Sequence, residues 1–356
     1  IRSLVAYRRV FRIKIWKIES EKQFYDIIIK YDKDKLKLLL DNKENYYGNP
    51  IDVPKKNGYR QIYCINKRCD PYRIQKRMVD NFLKNIKVSD RTCGFVKGSS
   101  YYDFMEPHKD FYKRNQYLRL DLKNFFGSIS KKMVTDCLLY YVDEKIVNRD
   151  ELIKMIFEIL TYNNILIQGA ITSPIISNIV FRELDIRIQK YCRKYDIIYT
   201  RYADDLLFSG YNSILLKKTF YKGIEKIVGS RGFQINYLKT KRAKEYISLN
   251  GFVIDNDIRL SRKKLEEINR IIFFLNRKDE LKKIKKGDVS GLNMHLRKET
   301  NINTDRFAGK YELLNYLNGY RAFIISAMKY SEDENFLSKS KNKIEKLEDI
   351  VNKIAK

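Results

Sequence analysis

The chain has 356 residues, 44% of them hydrophobic, which is long enough for two or three subdomains around a substantial buried core. Its 72 Lys and Arg against 44 Asp and Glu leave a formal charge of +28, far more than solubility requires, and point to a polyanionic partner. These cations are spread along the whole chain instead of lying on one amphipathic segment, which disfavours a membrane-surface protein and favours nucleic acid.

Ile1 to Ile18 carries Arg or Lys at positions 2, 8, 9, 12, 14 and 17, so it lacks the unbroken apolar core of a signal peptide. No run approaches the roughly 20 apolar residues needed to span a bilayer, and a cytoplasmic protein is expected. Five cysteines (Cys64, Cys69, Cys93, Cys137, Cys192) fall without a C-x-x-C pair, and the histidines are His108 and His295. Neither a structural zinc site nor a disulfide framework is expected, and the thiols read as small hydrophobes.

Residues 1–45 read as a basic, mostly helical extension. From Tyr46 to Tyr63, Gly48, Pro50, Pro54 and Gly58 punctuate short β-like runs, giving a hairpin with a basic tip at Lys55, Lys56 and Arg60. Such cations are either a solvated edge or, in a polymerase, groups that close over a triphosphate. Asp70-Pro71 opens a helix with an apolar stripe at Ile74, Met78 and Phe82. Cys93 to Ser100 is a glycine-containing basic loop that fits no phosphate-loop pattern. Tyr117 to Leu120 alternates as a strand does and delivers Asp121 near its end. Ile167 to Pro174 is a small-residue loop followed by a helix start, with Ser173 as the expected cap, Pro174 at the first helical position, and Ile176, Val180, Leu184, Ile188 and Tyr191 at helical spacing. Gly169 and Ala170 in that loop permit close backbone approach, as by a template base or nucleotide.

Ile198 to Ser209 is the stretch on which the chemistry turns. Apolar and aromatic residues run up to Ala203, Asp204 and Asp205 follow, and a second apolar run begins at once, which suits a hairpin with the aspartates at its turn. Two such carboxylates make either a solvated turn or a metal site. With Asp121 on a neighbouring strand of the same sheet, like charges would face one another and require cations to neutralise them. Two Mg²⁺ ions about 3.5–4 Å apart would then activate a 3′-hydroxyl and stabilise a pyrophosphate leaving group.

Beyond the hairpin, Phe220 to Val228 reads as a helix and Gly232 to Asn236 as a strand leading to Lys239. Leu249 to Ile254 begins a hairpin that turns at Asp255-Asn256-Asp257, and Ser261 caps a helix with Leu265, Ile268, Ile272 and Leu275 on one face. Lys278 to Gly291 reads as a charged loop, and two helices follow around Tyr311 to Met328 and Asn335 to Ile354.

Taken together, Asp121-Leu122-x-x-Phe125-Phe126-x-Ser128-Ile129, Gln168-Gly169-Ala170-x-Thr172-Ser173-Pro174 and Arg201-Tyr202-Ala203-Asp204-Asp205-Leu206, in that order, resemble the blocks of reverse transcriptases, bacterial retron and related defence-associated ones in particular. The resemblance covers roughly Tyr46 to Arg259. It implies an α+β right-hand polymerase with an antiparallel palm sheet and a mostly helical thumb. The basic extension then occupies 1–45, fingers 46–105 and 136–166, palm 106–135 and 167–254, and thumb 255–356.

The resemblance also implies roles. Asp121, Asp204 and Asp205 match the palm carboxylates that hold two Mg²⁺, for which Mn²⁺ can substitute, and Leu122 matches a position lending its backbone carbonyl. Phe126 matches the aromatic residue under the sugar, whose ring excludes a 2′-hydroxyl. Arg60 with Lys55 or Lys56 matches the fingers cations on the triphosphate, Gln168 and Gly169 the nucleotide and template pocket, and Lys239 a lysine that protonates pyrophosphate. Leu249-Asn250-Gly251 matches the primer grip, and His108 is the one residue kept of a retron Asn-Ala-x-x-His block. The activity implied is DNA synthesis from dNTPs on a dedicated noncoding RNA that serves as template and as a candidate primer. Its expected setting is antiviral defence, with any effector being the DNA product, a separate protein or a homo-oligomer. Untemplated or protein-primed synthesis by the same site is the alternative. A catalytically inert RNA-binding scaffold is a third reading, against which the complete carboxylate set stands.

Overall fold

The computed structural model describes residues 14–55, 58–110, 115–300, 305–331 and 333–355. The chain divides into two compact units, one drawn from Ile1–Phe104, Leu118–Phe208 and Asn212–Lys241, the other from Met105–Tyr117, Ser209–Tyr211 and Arg242–Lys356. Helices and antiparallel strand pairs alternate along it, the α+β polymerase class expected.

Helix α1 (Lys33–Asp41) starts where the Asp32 carboxylate accepts from the backbone N–H of Asp34 and Lys35. The expected basic hairpin follows as β1 (Ile51–Lys55) and β2 (Gly58–Ile62), antiparallel with Lys55 opposite Gly58. In α2 (Asp70–Asn81) the stripe Ile74, Met78 and, just past the end, Phe82 is buried as the 3.6-residue period requires. After α3 (Tyr101–Met105) come β3 (Gln116–Asp121), α4 (Lys131–Leu138), α5 (Arg149–Leu160), α6 (Ser173–Arg193), β4 (Ile198–Tyr202), β5 (Asp205–Gly210), α7 (Lys218–Gly229) and β6 (Lys241–Lys244). Four strands make one sheet in the order β4-β5-β3-β6.

The 21-residue helix α6 packs beneath this sheet's carboxylate end with Ile176, Leu184 and Ile188 buried, while Val180 and Tyr191 are half-buried. The helix begins one residue earlier than expected, at the residue expected to cap it. Thr172 is the N-cap, and its hydroxyl donates to the Leu160 carbonyl instead of capping, so Ser173 is helical. The rings of Phe125, Phe181 and Phe233 lie 5.0–5.7 Å apart between centroids and fill the space under the site. Gly232 is a turn residue at φ 80°, and Phe233 to Asn236 does not form the expected strand. It is tied by single bonds from Lys123 N to Gln234 O and from Asn236 N to Asp121 O, with one bridge between Leu122 and Ile235.

In the second unit, β7 (Ile247–Leu249), β8 (Phe252–Ile254) and β9 (Ile258–Leu260) form an antiparallel meander, with the expected turn at Asp255-Asn256-Asp257. The β7–β8 turn places Asn250 and Gly251 at φ 46° and 94°, the doubly left-handed pair a two-residue hairpin favours. Helix α8 (Arg262–Leu275) is capped by Ser261. Where a loop was expected, α9 (Lys278–Lys285) and the start of α10 (Ser290–Thr300) stand. The charges that suggested a loop are those a helix wants: Asp279 and Glu280 in its first turn, lysines in its last, a Glu280–Lys283 pair, and Ile284 buried. Helices α11 (Lys310–Met328) and α12 (Glu334–Ala355) complete the unit. Among the described residues no helix is long and apolar enough to cross a membrane.

Candidate active site

Asp121 ends β3 and is almost fully buried, 3% exposed. On the far side of β5's first residue, the β4–β5 turn carries Asp204, half-buried, while Asp205 opens β5 and is buried. The Leu122 N–H donates to the Asp204 carbonyl at 2.9 Å, which locks the end of β3 to the turn and brings the three carboxylates into one electrostatic neighbourhood. Ala203, the residue before them, sits at φ 55°, a left-handed conformation that a side-chain-bearing residue adopts only where its surroundings hold it.

Those surroundings are specific. Arg201, fully buried on β4, pairs with buried Asp185 of α6 and donates through Nη1 to the Ala203 carbonyl at 3.1 Å. The segment Arg91–Cys93 covers the outer side of β4 through backbone bonds to Arg201 in both directions, and Gly94 then packs flat on the turn. A Cβ at Gly94 would lie 2.6 Å from the Ala203 nitrogen, so nothing larger than glycine fits.

Two cations meet the carboxylates. Lys239 Nζ donates to Asp121 Oδ2 at 2.9 Å from an exposed position. Arg119, two residues before Asp121 and so on the same face of β3, donates through Nε and Nη2 to Asp205 at 2.6–3.0 Å, reaching both oxygens. Burial pushes the Asp205 carboxyl up to about 6 even though Arg119 pulls it down, and Asp204 and Asp121 add to the rise. Asp204 is raised as well, first by burial and then by the charge of Asp121.

Asp121 Oδ1 is buried and accepts no hydrogen bond, an orphaned acceptor beside two further carboxylates. Such a group fits a divalent cation. Among the described residues, however, no three Asp, Glu, His or Cys side chains converge so as to hold one ion by themselves, and Asp205 is bonded to Arg119 through both oxygens. Sequence reasoning passed over Arg119. The period-2 alternation of β3 was the signal that put it beside Asp121.

Of the other expected site residues, Leu122 is buried, and its N–H is the one bonded to Asp204. Phe126 is half-buried, its ring 6.1 Å from Phe95, which in turn lies 6.5 Å from Tyr202. Phe95 itself is 42% exposed and held at φ 61°. Gln168 is half-buried and its carbonyl accepts from the Tyr63 N–H at 2.9 Å, while Gly169, at φ 109°, lies so close that a Cβ there would stand 2.2 Å from the Tyr63 carbonyl oxygen. Arg60 is exposed on β2. Lys56 lies outside the described residues, and Lys55 is placed only as backbone in β1.

Leu249, Asn250 and Gly251 belong to the second unit, where Leu249 is fully buried and the next two make the β7–β8 turn. His108, also in that unit, has no solvent exposure, and its Nδ1 lies 2.7 Å from Ser209 Oγ, as a satisfied buried histidine would.

A hairpin turn bearing two carboxylates, next to a strand that ends in a third, is the layout of a polymerase palm. A family profile described as reverse transcriptase (RNA-dependent DNA polymerase) matches residues 53–254. The chain is 29% identical to the retron Mx65 reverse transcriptase of Myxococcus xanthus over 236 residues, 62% of this chain and 54% of that one. It is 29% identical to the retron Ec86 reverse transcriptase of Escherichia coli over 219 residues, 60% of this chain and 65% of that one. A solved telomerase from Candida albicans in complex with a telomeric RNA fragment is similar at TM-score 0.44 and 13% identity, over 88% of this chain and 65% of that one. The chain belongs to the reverse transcriptase family, whose domains use divalent metal ions. It spans about half to two thirds of the length of the curated relatives it matches.

Proposed function

We propose that this protein is an RNA-directed DNA polymerase that extends a 3′-hydroxyl with dNTPs, using two Mg²⁺ ions. A dedicated noncoding RNA is its template, and bacterial antiviral defence its setting. The observation that carries the reading is the orphaned, buried oxygen of Asp121, a carboxylate whose charge is felt at Asp204. Bound there, divalent ions would ease deprotonation of the 3′-hydroxyl and neutralise the pyrophosphate as it leaves.

The chain's own residues supply the rest. Lys239, exposed on its flexible stem, is in this reading the group that leaves Asp121 and gives a proton to the departing phosphate. Phe126, backed by Phe95, presents a ring that would collide with a ribose 2′-hydroxyl and so selects deoxynucleotides. Arg60 at the exposed hairpin, with Lys55 and Lys56, is in this reading the cationic cover of the triphosphate. The charge of +28 supplies the general affinity for RNA and for the DNA product.

Primer extension with Asp204→Asn tests it. The variant is expected to lose extension altogether while keeping RNA affinity, and retained extension would remove the site assignment. Supplying one dNTP without RNA separates templated synthesis, which stalls, from untemplated addition, which continues.

A further inference from the structure

Three carboxylates crowd the site, and the chain answers two of them with cations of very different character. Lys239 reaches Asp121 as a single ammonium at the end of a flexible stem and is 57% exposed, so it can move off into solvent and leave the buried Asp121 carboxylate to be met by another cation. Arg119 holds Asp205 with a planar fork, Nε and Nη2 on Oδ1 at 3.0 and 2.6 Å and Nη2 again on Oδ2 at 2.8 Å, and its side chain is only 14% exposed against 11% for its partner. Both Asp205 oxygens are engaged, and opening the pair would leave two buried charges unmatched.

We infer that Asp205 anchors the carboxylate turn and does not ligate the ion, that Arg119 is the positioning residue that makes it so, and that Asp121 and Asp204 are the carboxylates that hold metal. The inference rests on the function proposed above and refines it. Three features of the site support it. Asp121 offers a buried oxygen with no partner, whereas Asp205 has none to offer. With Asp205 neutralised by Arg119 and Lys239 displaced, Asp121 and Asp204 leave two negative charges, the number that one divalent ion balances. A second ion then needs the substrate's phosphates, as Mg²⁺ that retains several waters commonly does. Finally, Arg119 and Asp121 alternate on one strand face, so the same strand that presents a ligand also pins the neighbouring turn, which is how a metal site is kept in register before the metal arrives.

The test uses Mn²⁺ alone as probe, titrated into the full chain without nucleotide or RNA, with free Mn²⁺ read by electron paramagnetic resonance and folding checked by thermal melting. Asp204→Asn is expected to weaken Mn²⁺ binding about tenfold or more. Asp205→Asn strands the Arg119 charge and lowers the melting temperature, so the decisive variant is Arg119→Gln with Asp205→Asn, in which the pair becomes neutral. In that double variant a neutral amide-to-amide bridge can keep the turn pinned, so it is expected to bind Mn²⁺ within about threefold of the wild type, well short of the loss that removing a ligand brings. A loss equal to that of Asp204→Asn would overturn the inference and return Asp205 to the metal. Unchanged Mn²⁺ binding in both Asp121→Asn and Asp204→Asn would instead overturn the reading of the site, and this inference with it.

Discussion

Arg201 and Asp185 form an ion pair in which neither side chain has any solvent exposure, and the same guanidinium also holds the carbonyl of Ala203. The pair is bidentate, Nε on Oδ1 and Nη2 on Oδ2, both at 2.8 Å, and it is extended by Tyr199 and Thr92, whose hydroxyls donate to the two Asp185 oxygens. The left-handed residue ahead of the carboxylates is thus braced from beneath by α6. Strain in the turn is supported by a fully satisfied polar network and stacking of Arg201 over Phe181, 4.7 Å from the ring centre.

Removing either member of that pair strands a buried charge. Asp185→Leu or Arg201→Met is expected to cost about 3–5 kcal/mol of folding stability, measured by urea unfolding. Tyr199→Phe, which removes one bond to the network, should cost nearer 1 kcal/mol. A loss of under about 1 kcal/mol in the charge variants would show that the network is not what holds the turn.

Gly94→Ala places a methyl 2.6 Å from the Ala203 nitrogen, with the backbone of Tyr202 just behind it. Since neither neighbour is the tip of a flexible side chain, the turn itself must shift. The expected stability loss is about 1–3 kcal/mol, with a fall in primer extension of about 100-fold from misplaced carboxylates. Extension at the wild-type rate would show that the turn tolerates displacement.

Phe126→Ala should admit ribonucleotides. The ring leans on Phe95 and Phe125, so its removal opens space without charge or polarity changes. Discrimination between dNTP and rNTP, taken as the ratio of kcat/KM values, is expected to fall about 10- to 200-fold. An unchanged ratio would assign sugar selection to another residue.

The raised carboxyls make the site pH-sensitive in a direction that can be worked out. Asp205 has a folded value of about 6 against 3.8 for the free side chain, so the folded chain binds its proton more readily than the unfolded one does. Its stabilising share is therefore present at pH below 3.8 and lost as the pH rises through about 6. In the ion-free protein the wild type should lose stability relative to Asp205→Asn over that window, as seen by unfolding at fixed ionic strength. Asp204 is raised too, and a protonated carboxyl does not hold a cation, so the Mg²⁺ concentration for half-maximal extension should climb as the solution is made acidic. A pH-independent Mg²⁺ requirement between 5 and 8 would contradict the shift.

The parts of this site that could be read from the amino acids alone are those where local chemistry conflicts with local structure. Asp121, Asp204 and Asp205 are visible because carboxylates interrupt strand-like runs, and the α6 stripe is visible because its period is 3.6. Arg119 escaped notice because an arginine in a strand of a chain with 72 basic residues looks like one more surface cation, and only the pairing of β3 with β5 shows where it goes. The burial of His108 is not legible either, because its likeness to a motif carries no information about packing and Ser209, against which it lies, is 101 residues away. The α9 segment reads as a loop because its charge density masks Ile284, whose burial depends on tertiary packing.

The close approach of Gly169 to Tyr63 has a mechanical consequence. Tyr63 directly follows the hairpin β1–β2, and its N–H and carbonyl both abut the Gln168-Gly169 backbone, so hairpin and loop share a fulcrum. Any displacement of the hairpin would therefore be felt at Gln168, and a bulkier residue at position 169 would force the two backbones apart.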